Sequence, residues 1–136
     1  MSHPDWITVT RGTAPLIVSL PHTGTDLPDK IVPDLVSEWL ARKDCDWWIE
    51  QLYDFATDLG ATVIRTSISR TAVDVNRDPS GVSLYPGQAT TELCPTTTFD
   101  GEPLYLPGRA APAYRRGRPA PSELRARPLP ARHSDG

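Results

Sequence analysis

Pro15-Leu16-Ile17-Val18-Ser19-Leu20-Pro21-His22-Thr23-Gly24 is the stretch whose reading decides the fold. Its apolar, partly β-branched run reads as a strand buried on both faces. Pro21 has no N–H for a sheet ladder, so the strand is expected to stop there. His22 is then the first polar side chain past the strand, and Thr23-Gly24 lets the backbone turn. Ligands of open α/β sheets bind in the crevice beyond the carboxyl ends of the strands, where this imidazole would be placed for chemistry. From this stretch alone, a histidine that only hydrogen-bonds its own loop reads equally well.

Upstream, Trp6-Ile7-Thr8-Val9-Thr10 has a short strand pattern ended by Arg11-Gly12, suited to an edge hairpin with Leu16–Leu20. Downstream, Asp34 reads as the N-cap of a helix whose apolar face is Leu35, Val36, Trp39 and Leu40. A second helix opens at Asp44-Cys45-Asp46-Trp47-Trp48-Ile49-Glu50. Its stripe is Trp48, Ile49, Leu52, Tyr53, Phe55, Ala56 and Leu59, with Gly60 as the stop. Asp44 and Asp46 suit a helix N-terminus, but two acids beside one cysteine exceed what a cap needs. Ala61-Thr62-Val63-Ile64-Arg65 is the next buried strand. Strand, helices and strand together predict a βαβ crossover with parallel strands.

The second dense stretch runs from Ser67 to Pro79. Val73 and Val75 are expected on one face of a short strand, Asp74 and Asn76 on the other. Arg70 and Arg77 bracket it, and two arginines near an Asn are equipped to grip a carboxylate bidentately. The plainer alternative is a surface salt bridge from Arg77 to Asp74 or Asp78. Val82–Gly108 reads as a long loop, a feature that is often functional. Without GxGxxG, a P-loop or a GxSxG elbow, a nucleotide enzyme or serine hydrolase finds no support.

A chain of 136 residues suffices for one domain with a core. It contains no apolar run long enough for a membrane span and no signal-peptide pattern at its start. Cys45 and Cys94 are far apart and form no CxxC, which suits a cytoplasmic protein with reduced thiols. The net charge of −3 gives no reason to expect nucleic acid. That average hides a break. Residues 109–136 hold seven arginines against two acids, a charge of +5, which leaves −8 for residues 1–108. Five prolines interrupt every candidate element of this tail, so disorder is expected rather than a basic binding arm.

Taken together, the motifs resemble the N-formylglutamate amidohydrolase (deformylase) family. The resemblance is carried by Ser19–Gly24, Asp44-Cys45-Asp46-Trp47, Leu52-Tyr53-Asp54-Phe55-Ala56, Ser69-Arg70 with Val73–Arg77, Leu84-Tyr85-Pro86-Gly87-Gln88, and Leu93–Gly101. It covers about residues 5–108, in order and in register. It implies an α/β fold of the three-layer, zinc-exopeptidase-like kind with a mostly parallel sheet. It also implies hydrolysis of N-formyl-L-glutamate to formate and L-glutamate by a zinc-activated water (zinc or another divalent metal), in histidine degradation. The implied partner is this small-molecule substrate.

Carried over residue by residue, the resemblance makes His22 the first metal ligand and Asp46 a carboxylate ligand, with Asp44 as second choice. Arg70 would polarise the formyl oxygen, and Asn76 with Arg77 would hold a substrate carboxylate. Trp48 stands where the family pattern has a His, and Glu50 where it has an Asp. Trp48 fits the apolar stripe and reads as a core substitution. Glu92 and Glu102 attach to no motif that would make either the general base. A third ligand is missing too, since His3 and His133 lie at the two ends of the chain. Residues 1–108 therefore read as the N-terminal part of such a domain. Residues 109–136 have the composition of a GC-rich gene read out of frame. Two alternatives stand beside an incomplete deformylase: an inactive fragment that binds anions weakly, and a related zinc acylase acting on another N-acyl amino acid.

Overall fold

The computed structural model describes residues 4–80 and 92–109, and the backbone of 126–127. Strands β1 (Ile7–Thr10), β2 (Ile17–Leu20) and β4 (Thr62–Thr66) form a three-stranded sheet in the order β1-β4-β2. β2 runs parallel to β4, from Ile17↔Thr62 to Leu20↔Arg65, a pairing that the long connection between them permits. β1 is antiparallel to β4. The class is α/β with a small mixed sheet, one parallel and one antiparallel pairing, rather than a mostly parallel one.

The hairpin expected between β1 and β2 does not form. Gly12 N–H donates to Thr62 Oγ1 at 3.0 Å and Ala14 N–H to Gly60 O at 2.9 Å. These bonds carry the chain across the amino end of β4, so β1 and β2 take its opposite edges. Consequently β2 is an edge strand among the described residues, and Ile17 is 68% exposed rather than buried on both faces. The strand does end at Leu20, one residue before Pro21.

Between β2 and β4 the chain forms a two-residue strand β3 (Leu27–Pro28), a 3-10 turn (Val32–Asp34) and three one-turn helices. The helices are α1 (Glu38–Ala41), α2 (Ile49–Leu52) and α3 (Phe55–Asp58). Ser37, not Asp34, caps α1, its Oγ accepting from Leu40 N–H at 2.9 Å. Asp34 closes the 3-10 turn instead, and its carbonyl accepts from Leu106 N–H. The long helix expected after Asp44 is broken into α2 and α3. Trp48 sits ahead of α2 at a φ of 65° and is 60% exposed, so it is not a core residue. Leu52, Phe55 and Leu59 of the predicted stripe are exposed as well, while Ala56 is buried. Gly60, at a φ of 74°, follows α3 where the stop was expected.

The described core lies beside the sheet rather than under this stripe. Leu27, Ile31, Leu35, Ala41, Ile68, Ala72, Leu104 and Tyr105 pack together. The 92–109 segment, read as loop, thus supplies two core residues, held by Val36 N–H donating to Leu104 O at 2.9 Å. Residues 73–75 form no strand, and the expected faces are not shared: Val73 packs against the core while Val75 turns outward, and Asp74 is buried while Asn76 is exposed. Among the described residues no helix is long and apolar enough to cross a membrane. A two-residue strand β5 (Ala126–Arg127) pairs with β3. The rest of the expected disordered tail, the Leu84–Gln88 motif, His3 and His133 lie outside the described residues.

Past His22 the chain docks against the segment following β4. Asp26 N–H donates to Ser67 O at 2.9 Å and Ser69 N–H to Asp26 O at 2.8 Å. This approach needs Gly24, because a Cβ there would lie 2.3 Å from Ile68 O and 2.4 Å from Ser67 C, both backbone atoms. Gly24→Ala is expected to destabilise the chain by about 2 kcal/mol, read as a lower urea midpoint. An unchanged midpoint would show that the loop does not need this contact.

Candidate active site

β2 delivers His22 to the rim of the sheet two residues past its end, and the imidazole is only 13% exposed. Its Nε2 lies 2.8 Å from Asp74 Oδ1 and its Nδ1 3.8 Å from Asp46 Oδ2. Asp46 N–H donates to His22 O at 2.9 Å, tying the turn before α2 to the strand end.

Asp74 has no exposed surface. Its Oδ1 also accepts from Asn76 N–H at 3.0 Å. Its Oδ2 accepts from an Arg70 terminal nitrogen at 2.8 Å and faces Arg77 Nε at 3.5 Å. Burial pushes this carboxyl up, but the His22 hydrogen bond, the Asn76 N–H and the Arg70 charge outweigh it and hold the pKa at about 2. An ionised carboxylate only accepts, so Nε2 of a neutral His22 carries the proton and Nδ1 turns its lone pair toward Asp46. Pairing one ring nitrogen with a carboxylate is how proteins orient a metal-binding imidazole.

The His22–Asp46 pair can serve as two donors to one ion. Their 3.8 Å separation is close to the spacing of ligands bonded at about 2.0–2.2 Å, and imidazole with carboxylate suits zinc. Among the described residues no group of three His, Cys, Asp or Glu side chains could hold a metal.

Asp44 is engaged elsewhere: its Oδ2 accepts from Phe99 N–H at 2.8 Å. Cys45, between the two acids, points inward to Ser69 Oγ at 3.4 Å, and burial pushes its thiol up. One short turn thus divides its residues between rim, core and loop. Arg70 is buried at the same rim, with Cζ 4.7 Å from the Phe99 ring centroid. Asn76 bonds Asp74 through its backbone and lines a cavity of about 150 Å³ with Trp6, Ser19, Pro21 and Thr66. Glu102 pairs with Lys43, and Glu92 accepts from Thr96. His22, Arg70, Asn76 and Arg77 are thus brought around Asp74, which the sequence offers only as an alternative salt-bridge partner of Arg77, and Asp46 faces the other side of His22. The signal for Asp74 was present in the spacing, an acid four residues after one arginine and three before another.

A family model described as N-formylglutamate amidohydrolase matches residues 14–122. The chain belongs to the N-formylglutamate amidohydrolase family. It is similar to the N-formylglutamate deformylases of Pseudomonas putida and Pseudomonas aeruginosa. It is 48% identical to each over 100 residues, which make up 74% of this chain and 37% of each relative. The chain therefore spans little more than a third of the length of these relatives. No solved structure matches it significantly.

Replacing Asp74 with Asn in this family member leaves the Arg70 guanidinium buried without its counter-charge. The variant is expected to lose about 3–5 kcal/mol of stability in urea denaturation at neutral pH. The pH dependence has a definite sign. The folded-state pKa lies below the ordinary value of 3.8, so the contribution of Asp74 is present above that value and is lost as pH falls toward about 2. The wild-type protein should show this acid limb and Asp74→Asn should lack it. Equal acid sensitivity in the two would contradict the pairing.

Proposed function

We propose that this chain carries the metal-binding pair and substrate grip of an N-formyl-L-glutamate amidohydrolase, an enzyme releasing formate and L-glutamate. The observation that supports this is His22 standing between Asp74 and Asp46 in a chain of this family. On this reading His22 Nδ1 and Asp46 Oδ2 would hold zinc or another divalent metal. Such an ion supplies an acidified water and a Lewis acid for the amide carbonyl. Asp74 retains the proton on Nε2 and fixes the plane of the imidazole. Arg70 directs its remaining N–H groups at the acyl oxygen, where negative charge develops. Arg77 and Asn76 receive a carboxylate of the substrate. The wider architecture on this reading is the three-layer, zinc-exopeptidase-like one.

A second reading is favoured by the two-donor set among the described residues: a domain that binds a metal and an anion without turnover. One experiment separates them. Only on the first reading, and only if residues outside the described ones complete the site, does zinc-loaded protein of the full 136 residues release formate from N-formyl-L-glutamate, with the activity lost to a chelator and in His22→Ala. Zinc binding that needs His22 and Asp46 but yields no formate supports the second reading. Zinc binding indifferent to both residues contradicts both readings. Within the first reading, Arg77→Ala should raise KM for N-formyl-L-glutamate about tenfold or more, since Arg77 is partly exposed beside Asp74. A fall in kcat at unchanged KM would remove Arg77 from the carboxylate grip.

A further inference from the structure

The tip of the 92–109 segment is tied down more firmly than a connecting loop requires. Thr98 N–H donates to Glu102 O and Gly101 N–H to Thr98 O, both at 2.9 Å, closing a tight turn around Phe99 and Asp100. Glu102 N–H donates to the Thr98 hydroxyl at 3.1 Å, and Thr98 is buried. Two adjacent residues of the turn before α2 clasp this tip. Lys43 pairs with Asp100 at 2.7 Å and with Glu102, and Asp44 accepts from Phe99 N–H at 2.8 Å. The clasped residue is Phe99, which is 58% exposed and so contributes little as core. Its ring lies over the Arg70 guanidinium, with Cζ 4.7 Å from the centroid.

We propose that Phe99 is a positioning residue for Arg70: its ring covers one face of the guanidinium and fixes the plane in which Arg70 presents its remaining donors. The proposal rests on the reading that Arg70 meets the acyl oxygen. A guanidinium carries its five N–H groups in one plane. Asp74 takes part of one edge, and on this proposal the Phe99 ring, its centroid 4.7 Å from Cζ, opposes rotation of the group. Donors held in a fixed plane need no reorganisation as charge builds on the acyl oxygen. Asp44, considered from the sequence as a metal ligand, instead holds the tip that holds the ring.

The test is the Arg70 Nε–H signal in a ¹⁵N-labelled chain, assigned by its loss in Arg70→Lys. In the wild type it should carry a ring-current shift and exchange slowly with water. Phe99→Leu should remove both, and Phe99→Tyr should retain both. Asp44→Ala, which loosens the tip without touching Arg70, should move the signal in the same direction as Phe99→Leu. The double variant Asp44→Ala with Phe99→Leu should move it no further than Phe99→Leu alone. Urea midpoints measured alongside identify any variant whose signal changes through unfolding, and Phe99→Tyr supplies the folded comparison. A signal indifferent to Phe99→Leu, or one for which the two changes add, overturns the proposal. In formate release, Phe99→Leu should lower kcat about tenfold with little change in KM, and Phe99→Tyr should restore it. Unchanged kcat in Phe99→Leu overturns the positioning role. A wild-type chain that releases no formate counts against the hydrolytic reading alone, because the spectrum decides the Phe99–Arg70 contact without turnover.

Discussion

Asp74 is an ionised carboxylate with no surface exposed to water, and such a group is tolerable only when its oxygens are paired. Here the partners come from three places: the end of β2 through His22, the segment after β4 through Arg70, and the turn after Asp74 through Asn76 and Arg77. No regular element spans residues 67–80, so this charge network does what a ladder of backbone hydrogen bonds does elsewhere. Its cost is desolvation of several charges, offset only because each finds a partner. The same network leaves one side of the His22 ring committed to Asp74 and turns the other toward Asp46. Fold and site thus depend on the same carboxylate.

Around that hub the turn before α2 works as a junction. Asp46 faces His22, Cys45 packs inward against Ser69, and Asp44 with Lys43 reaches the 98–102 turn. Four consecutive residues therefore join the rim, the core and the loop that carries Phe99. This explains why two acids flank one cysteine there, a pattern that a helix cap alone would not need.

Some of this was legible in the sequence because it depends on local chemistry. Pro21 marks the end of β2, and the connection after it is long enough for the parallel pairing with β4. The resemblance carried by the His22, Asp46 and Arg70–Arg77 motifs led to the family. Other features were hidden because they depend on contacts distant in sequence. Alternation along Val73–Asn76 puts Asp74 and Asn76 on one face of a strand without saying which residue is buried, and only the arginines folding onto Asp74 make its burial favourable. The apolar stripe from Trp48 to Leu59 looks like one buried helix. Two one-turn helices preceded by a left-handed Trp48 leave most of it exposed. The position of β1 depends on Gly12 and Ala14 bonding to the start of β4, which no strand pattern encodes. The apolar run of β2 suggests burial on both faces, but a hydrophobic strand does not reveal how many neighbours it has.

The central claim is that Asp74 dictates which nitrogen of His22 is presented to Asp46. The most direct measurement is the ¹⁵N spectrum of the His22 imidazole at a pH where the ring is neutral, which distinguishes a protonated nitrogen from a bare one. The account predicts a proton on Nε2 and a bare Nδ1. A proton on Nδ1, or an even mixture of the two tautomers, would contradict it.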